Sequence, residues 1–231
     1  MRTKYSHLFF DLDRTLWDFD RNSKEAIAEL FEKHKMEGRL GVDLDKFLSI
    51  YRQINDDLWN RYREGTVKKH ELRAFRFYES FKHFGYDDPQ LGLTFNNEYI
   101  ITSSSKTSLV DGAAEVLDYL GSKYKLHLIT NGFVEAQNRK LDNCNIRHHF
   151  KEVIISDGMG FKKPDRRIFH YAMRLAKAKS ANSLMIGDDY GPDVLGAKSV
   201  GMDQVFFNIN NQLNKEATYT IEKLIEMKEF L

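Results

Sequence analysis

Cysteine is almost absent from this chain, and its scarcity removes two chemistries at once. Cys144 is the only cysteine among 231 residues, so neither an internal disulfide nor a cysteine-built metal site can form. With no basic partner near it in sequence, its thiol reads as an inert side chain on a helix rather than a nucleophile. Proline and glycine are also sparse. Three prolines and 14 glycines leave no Pro-rich or Gly/Ser-rich linker, no repeat period is visible, and the only biased patch is Ser103 to Ser105. Net charge is missing too: 35 basic residues against 34 acidic ones give +1. That balance supplies no bulk attraction for a nucleic acid polymer or an anionic membrane, so any anion must be held locally. The apolar runs are strand-sized, far below the roughly 20 residues of a bilayer span. The opening MRTKYSHLFFDLD has no apolar signal core, and a cytoplasmic protein is expected.

What the chain does have is core material, with 42% hydrophobic and 13% aromatic residues, enough for one large domain or a domain carrying an insert. Five short apolar runs have the length of strands buried on both faces: Tyr5 to Phe10, Lys125 to Ile129, Glu152 to Ile155, Ser183 to Ile186 and Gln204 to Phe207. From the second run onward helical patterns follow the strands. That alternation predicts an α/β fold, a doubly wound parallel sheet with helices on both faces.

Residues from about Asp20 to Ser105 break the alternation. They are charged and helix-periodic, and they contain no strand-like run. Ile27, Leu30 and Phe31 form one apolar stripe ended by Gly38; Phe47, Ile50, Ile54 and Leu58 form another; Leu72, Phe75, Phe81 and Phe84 suggest a third. We therefore expect an α/β core at 1–16 and 106–231 and an all-helical insert at 17–105. Because the insert leaves after the first strand and returns before the second, it is expected over the carboxyl ends of the strands, where open sheets bind ligands.

Four polar clusters fall at those strand ends. The first is Phe10-Asp11-Leu12-Asp13-Arg14-Thr15, with two carboxylates at alternate positions. Two such charges ~4 Å apart repel by about 4 kcal/mol at an effective dielectric of ~20, so gathered carboxylates usually hold a cation or a proton. The second is Ile129-Thr130-Asn131-Gly132, whose hydroxyl and free amides can bind phosphate oxygens or simply cap a helix. The third, Gly160 to Asp165, offers Lys163 before Pro164; the fourth, Ile186 to Asp193, is an acidic loop with Asp188 and Asp193. Each alone also fits a solvated turn or a helix start. In a doubly wound sheet they converge on one crevice. Carboxylates, one lysine, hydroxyls and amides are the ligands of a hard divalent cation with a phosphoryl group, and Mg2+ is the expected ion.

In these motifs the chain resembles the haloacid dehalogenase-like (HAD) hydrolase superfamily, whose pattern is D-x-D-x-T, a strand-ending Thr or Ser, a Lys, and G-D-x-x-x-x-D. All four occur in order across the α/β part. The resemblance implies a Rossmann-like core with a helical cap and a role for each residue. Asp11 is the nucleophile that forms an aspartyl-phosphate; Asp13 is the acid that protonates the leaving oxygen and then the base that activates water. Thr130 and the amides at Asn131 and Gly132, with Thr15, hold substrate, while Lys163 offsets charge on phosphate and Asp11. Mg2+ is held by Asp11, the carbonyl of Asp13 and Asp188, with Asp193 bound directly or through water. Arg14 departs from the small or acidic residue many relatives carry there.

The long gap between Asp11 and Thr130 resembles that of members with a helical cap, which act on small soluble phosphates. Leu58 to Thr66 with Leu72 and Arg76-Phe77 is similar to the bacterial pyrimidine 5'-nucleotidase subfamily, as is Thr130 to Phe133. On that resemblance Trp59, Tyr62 and Phe77 are candidates to stack on a base, although an aromatic at helical spacing is more often core. The expected activity is a phosphatase of nucleoside 5'-monophosphates. The alternatives are a phosphatase of sugar phosphates or other small metabolites, a phosphomutase, a dehalogenase, or a phospho-accepting signalling domain. Monomer and homodimer both fit the sequence, and none of the eight histidines is assigned to the site.

Overall fold

The computed structural model describes residues 4–209, 211–213 and 216–231. The chain divides into two compact units, Met1–Phe19 with Thr107–Leu231, and Asp20–Lys106.

The first unit is built on a sheet of six parallel strands in the order β3-β2-β1-β4-β5-β6: β1 His7–Phe10, β2 Lys125–Thr130, β3 Phe150–Ile155, β4 Ser183–Gly187, β5 Asp203–Phe207 and β6 Tyr219–Ile221. The expected strands form, with shifted ends. Tyr5 and Ser6 stay outside β1, β3 begins at Phe150, and β6 was not foreseen because three residues carry too little periodicity. Strand alternation splits the core into two layers. Leu8, Phe10, Leu126, Leu128, Leu184 and Ile186 face one side, where α6 (Ala113–Gly121) packs through Val116, Leu117 and Leu120. Phe9, Ile129 and Met185 face the other, against Ile168, Phe169 and Ala172 of α8 (Arg166–Ala176) and Ala197 of the short α9 (Gly196–Lys198). Each fully buried Leu or Phe contributes about 1.5–3 kcal/mol. Strand order reverses between β1 and β4, and the loops after those two strands carry Asp11 and Asp188. Such a reversal opens a crevice at the carboxyl ends of the strands.

The chain leaves and rejoins this unit through a small clasp. Trp17 bridges Leu109 in antiparallel fashion, the Asp18 N–H donates to Ser108 O at 3.0 Å and the Val110 N–H to Leu16 O at 2.9 Å.

The second unit is helical: α1 Phe19–Lys33, whose first residue belongs to the first unit, α2 Met36–Leu40, α3 Leu44–Glu64, α4 Lys69–His83 and α5 Pro89–Ser105. Sequence caps set its boundaries. Asp43 accepts from the Lys46 N–H at 2.8 Å and Asp88 from the Leu91 N–H at 2.9 Å, with Pro89 in the first turn. The apolar stripes differ from expectation in two places. On α3 the buried face runs through Phe47, Leu48, Tyr51, Leu58 and Tyr62 rather than Ile50 and Ile54, because Tyr51 stacks on Phe77 with centroids 4.8 Å apart. On α4 Phe75 is exposed and Phe77 takes the core position, 4.7 Å from Phe95. Gly38 lies within α2 instead of ending α1. Among the described residues no helix is long and apolar enough to cross a membrane.

Phe77 is the hub of this aromatic cluster and is fully buried. Phe77→Ala is expected to lower the stability of the helical unit by about 3–5 kcal/mol, measured by urea unfolding followed by tyrosine and tryptophan fluorescence.

Candidate active site

β1 is buried on every residue and ends at Phe10, so Asp11 is carried to the sheet edge while its N–H still donates to Ile186 O at 2.9 Å. The carboxylate is largely buried. Lys163, itself 2% exposed, places Nζ 2.6 Å from Asp11 Oδ1 and 2.6 Å from Asp193 Oδ1. The lysine is held from its backbone as well. Asn131 accepts from the Lys163 N–H and donates to Lys163 O, both at 2.9 Å, so its side-chain amide serves to fix the lysine.

Asp193 lies on a π-helical turn, Tyr190–Leu195, and folds back against β4. Its Oδ2 accepts from the Asp189 N–H at 3.1 Å. Only glycine at 187 permits this: a Cβ there would stand 2.2 Å from Asp193 Oδ2 and 2.4 Å from its Cγ. Asp188 is oriented by the buried Thr15, whose hydroxyl donates to Asp188 Oδ1 and accepts from the Asp188 N–H, each at 3.1 Å. The Thr15 side chain is thereby occupied in joining the loop after β1 to the loop after β4.

Asp11, Asp188 and Asp193 each offer a carboxylate oxygen within 4.8 Å of the others. Three carboxylates against one ammonium leave an excess of negative charge in a buried place. Burial, opposed by Lys163 and reinforced by Asp193, pushes Asp11 up to about 7; burial followed by Asp11 and Asp193 raises Asp188; burial outweighs the lysine at Asp193. Burial pulls the other way on Lys163, but Asp11 and Asp193 prevail and hold its ammonium above the ordinary value. An all-oxygen donor set with surplus negative charge fits a hard divalent cation, and no nitrogen or sulfur ligand that would suit zinc takes part.

Asp13 points to a different set of partners. Its Oδ1 accepts from Lys140 Nζ at 2.5 Å and its Oδ2 from Gln137 Nε2 at 2.8 Å. Gln137 Nε2 also donates to Thr130 Oγ1 at 2.7 Å, and the Gly132 N–H reaches the same oxygen at 3.3 Å. Sequence reading missed Gln137 and Lys140, which lie on α7 (Val134–Asn143) beside the foreseen Thr130-Asn131-Gly132. The available signal was a Gln and a Lys on the face that carries Phe133 and Leu141, where apolar side chains are the rule. Lys140 also sits 4.0 Å from the Trp17 ring centroid. Arg14 occupies a left-handed turn at φ 65, its guanidinium 4.6 Å from the Phe19 ring centroid.

The first unit thus gathers Asp11, Asp13, Thr15, Thr130, Asn131, Gly132, Lys163, Asp188 and Asp193 at its strand ends. Trp59 and Tyr62 belong to the helical unit, edge to face with centroids 5.6 Å apart; Tyr62 is buried there and Trp59 partly exposed. Phe77 is buried in the aromatic core and presents no face to a ligand. The Cys144 thiol, pushed up to about 11 by burial, lies beside Lys140 and Trp17, and the buried His7–His127 pair lies outside this set of contacts.

The model of the haloacid dehalogenase-like hydrolases matches residues 5–201. The chain belongs to the haloacid dehalogenase-like hydrolase family. It is a hydrolytic enzyme of that fold, with phosphatases among its relatives. It is 29% identical to HAD-hydrolase YfnB of Bacillus subtilis (strain 168), over 99% of this chain and 96% of that one. A crystal structure of YfnB bound to magnesium superposes with a TM-score of 0.89 at 28% identity, covering 98% of both chains. Pyrimidine 5'-nucleotidase PynA of Streptococcus pneumoniae (strain ATCC BAA-255 / R6) is 28% identical over 94% of this chain and 91% of its own. Glyceraldehyde 3-phosphate phosphatase of Methanothermobacter thermautotrophicus is 29% identical over 94% and 90%.

Because Gly187 makes room for Asp193, Gly187→Ala is expected to displace that carboxylate and weaken divalent-ion binding by about 10–100-fold, measured by calorimetric titration with Mg2+.

Proposed function

We propose that the chain is a Mg2+-dependent phosphomonoesterase that works through a phosphorylated Asp11 and acts on nucleoside 5'-monophosphates. The observation that carries the chemistry is a buried carboxylate held 2.6 Å from an ammonium, with a second carboxylate two residues further along. Phosphate monoesters hydrolyse so slowly unaided that enzymes accelerate them by up to about 10²¹-fold. The first obstacle is bringing an anionic nucleophile to an anionic ester. Lys163 lowers that barrier at Asp11, and its burial makes its charge count for more than it would in water.

In this reading an Asp11 oxygen attacks phosphorus while Asp13 gives a proton to the departing ester oxygen; Asp13 then takes a proton from the water that releases phosphate from Asp11. The Thr130 hydroxyl and the amides of Asn131 and Gly132 hold the phosphoryl oxygens. Asp11, the main-chain carbonyl of Asp13 and Asp188 would hold Mg2+, with Asp193 beside them, and the ion would offset phosphoryl charge. Asp13 is what favours ester hydrolysis over dehalogenation, since an alkoxide needs a proton to leave and a halide does not. A phospho-accepting signalling role gains no support from the relatives, among which are a nucleotidase and a phosphatase.

The likeness to PynA over nearly the whole of both chains supports the nucleotide reading. A second reading, small sugar phosphates, is favoured by the comparable likeness to glyceraldehyde 3-phosphate phosphatase. Release of inorganic phosphate from a panel of nucleoside 5'-monophosphates and sugar phosphates with Mg2+ decides between them. Pyrimidine nucleotides are expected to lead in kcat/KM, and a preference for sugar phosphates would replace the first reading by the second. Asp11→Asn is expected to lose phosphate release to background with its circular dichroism unchanged. Chelation by EDTA should abolish turnover, and added Mg2+ should restore it.

A further inference from the structure

We propose that Gln137 is a positioning residue for this reaction, setting the Thr130 hydroxyl and the Asp13 carboxyl together; the inference rests on the phosphatase reading above. Gln137 is fully buried, on a helix face it shares with the buried Lys140 and Leu141. Its nitrogen spends both hydrogens on candidate reacting groups, one on Asp13 Oδ2 at 2.8 Å and one on Thr130 Oγ1 at 2.7 Å. The nitrogen of the amide is the atom turned toward Asp13, with a carboxyl oxygen placed to accept from it. Gln137 Oε1 meets no partner among the described residues, so the group is engaged through its hydrogens alone.

The consequence for Thr130 follows from counting. A hydroxyl has one hydrogen and two lone pairs. Gln137 Nε2 and the Gly132 N–H supply two donors to Thr130 Oγ1. Both lone pairs are then used, and the Thr130 hydrogen is left to donate. An unprotonated phosphoryl oxygen only accepts, so a threonine locked as a donor is matched to it. Asp13 is steadied from the same helix, by Gln137 on one oxygen and Lys140 on the other. Gly132 completes the arrangement: a Cβ there would stand 2.3 Å from Gln137 Cδ and 2.4 Å from Nε2, so the loop leaves out a side chain where the amide lies.

The test compares kcat/KM with Mg2+ for phenyl phosphate and p-nitrophenyl phosphate, two esters of like shape whose leaving groups differ in their need for a proton. Gln137→Met keeps length and removes the donors. It is expected to cost about 10²-fold on phenyl phosphate, the scale of a small misplacement of reacting groups, and clearly less on p-nitrophenyl phosphate. In a Thr130→Val background the same change should cost no more than about twofold on p-nitrophenyl phosphate, because its route of action is already gone. Gln137→Glu, of the same shape but without amide hydrogens, should lose activity in the same pattern and serves if the Met variant does not fold. Equal losses on both esters, or a loss undiminished by Thr130→Val, would mark a packing role and overturn the proposal. Wild-type protein that releases no phosphate from either ester, nor from the nucleoside 5'-monophosphates and sugar phosphates of the panel, would instead overturn the phosphatase reading itself.

Discussion

The Lys163 ammonium, enclosed between Asp11 and Asp193, is the contact on which the rest of the strand-end architecture depends. Burying a charge is expensive unless it is paired and hydrogen-bonded, and this lysine is provided for at both ends. Two carboxylates meet its Nζ, and Asn131 clasps its backbone. Each partner is positioned by something further back. Asp11 is fixed by the end of β1 and Asp193 by a π-helical turn that leans into the space a glycine leaves. Loosening any of them would leave an uncompensated charge in a buried place. That is why several loops far apart in sequence must form together.

One ammonium does not balance three carboxylates. The upward pressure on Asp11, Asp188 and Asp193 expresses a surplus of negative charge that an all-oxygen cluster would relieve by taking a divalent cation. Asp13 has its own hydrogen-bond partners, Lys140 and Gln137 on the neighbouring helix, while its charge still adds to the upward pressure on Asp11. Two carboxylates at alternate positions on one loop are thus given different hydrogen-bond partners.

The sequence made most of the sheet legible because strands buried on both faces leave continuous apolar runs, and β1, β2 and β4 do so plainly. The three residues of β6 escaped because so short a strand has no period to read. In the helical unit, two apolar stripes on α3 satisfied the same spacing, and only the stacking of Tyr51 on Phe77 decided between them. At the strand ends Asp11, Lys163 and Asp193 were visible as motif residues, and their contacts lie where a doubly wound sheet would bring them. Gln137 and Lys140 were not, since a glutamine and a lysine on a helix ordinarily mean a solvated face. What distinguishes them is burial, which depends on the packing of Trp17 and Gly132 from other segments.

The clasp formed by Trp17 with Leu109 and by Asp18 with Ser108 means that the chain departs from the sheet and comes back at almost the same point. To the sheet, the entire helical unit is one hairpin loop whose feet are stitched together. Closing such a loop costs little more as it lengthens, because the penalty grows only with the logarithm of its size. Selection can therefore enlarge, trim or rebuild what lies beyond the stitch while the strands and their terminal carboxylates keep their register, so one reactive chassis can serve a succession of different helical inserts.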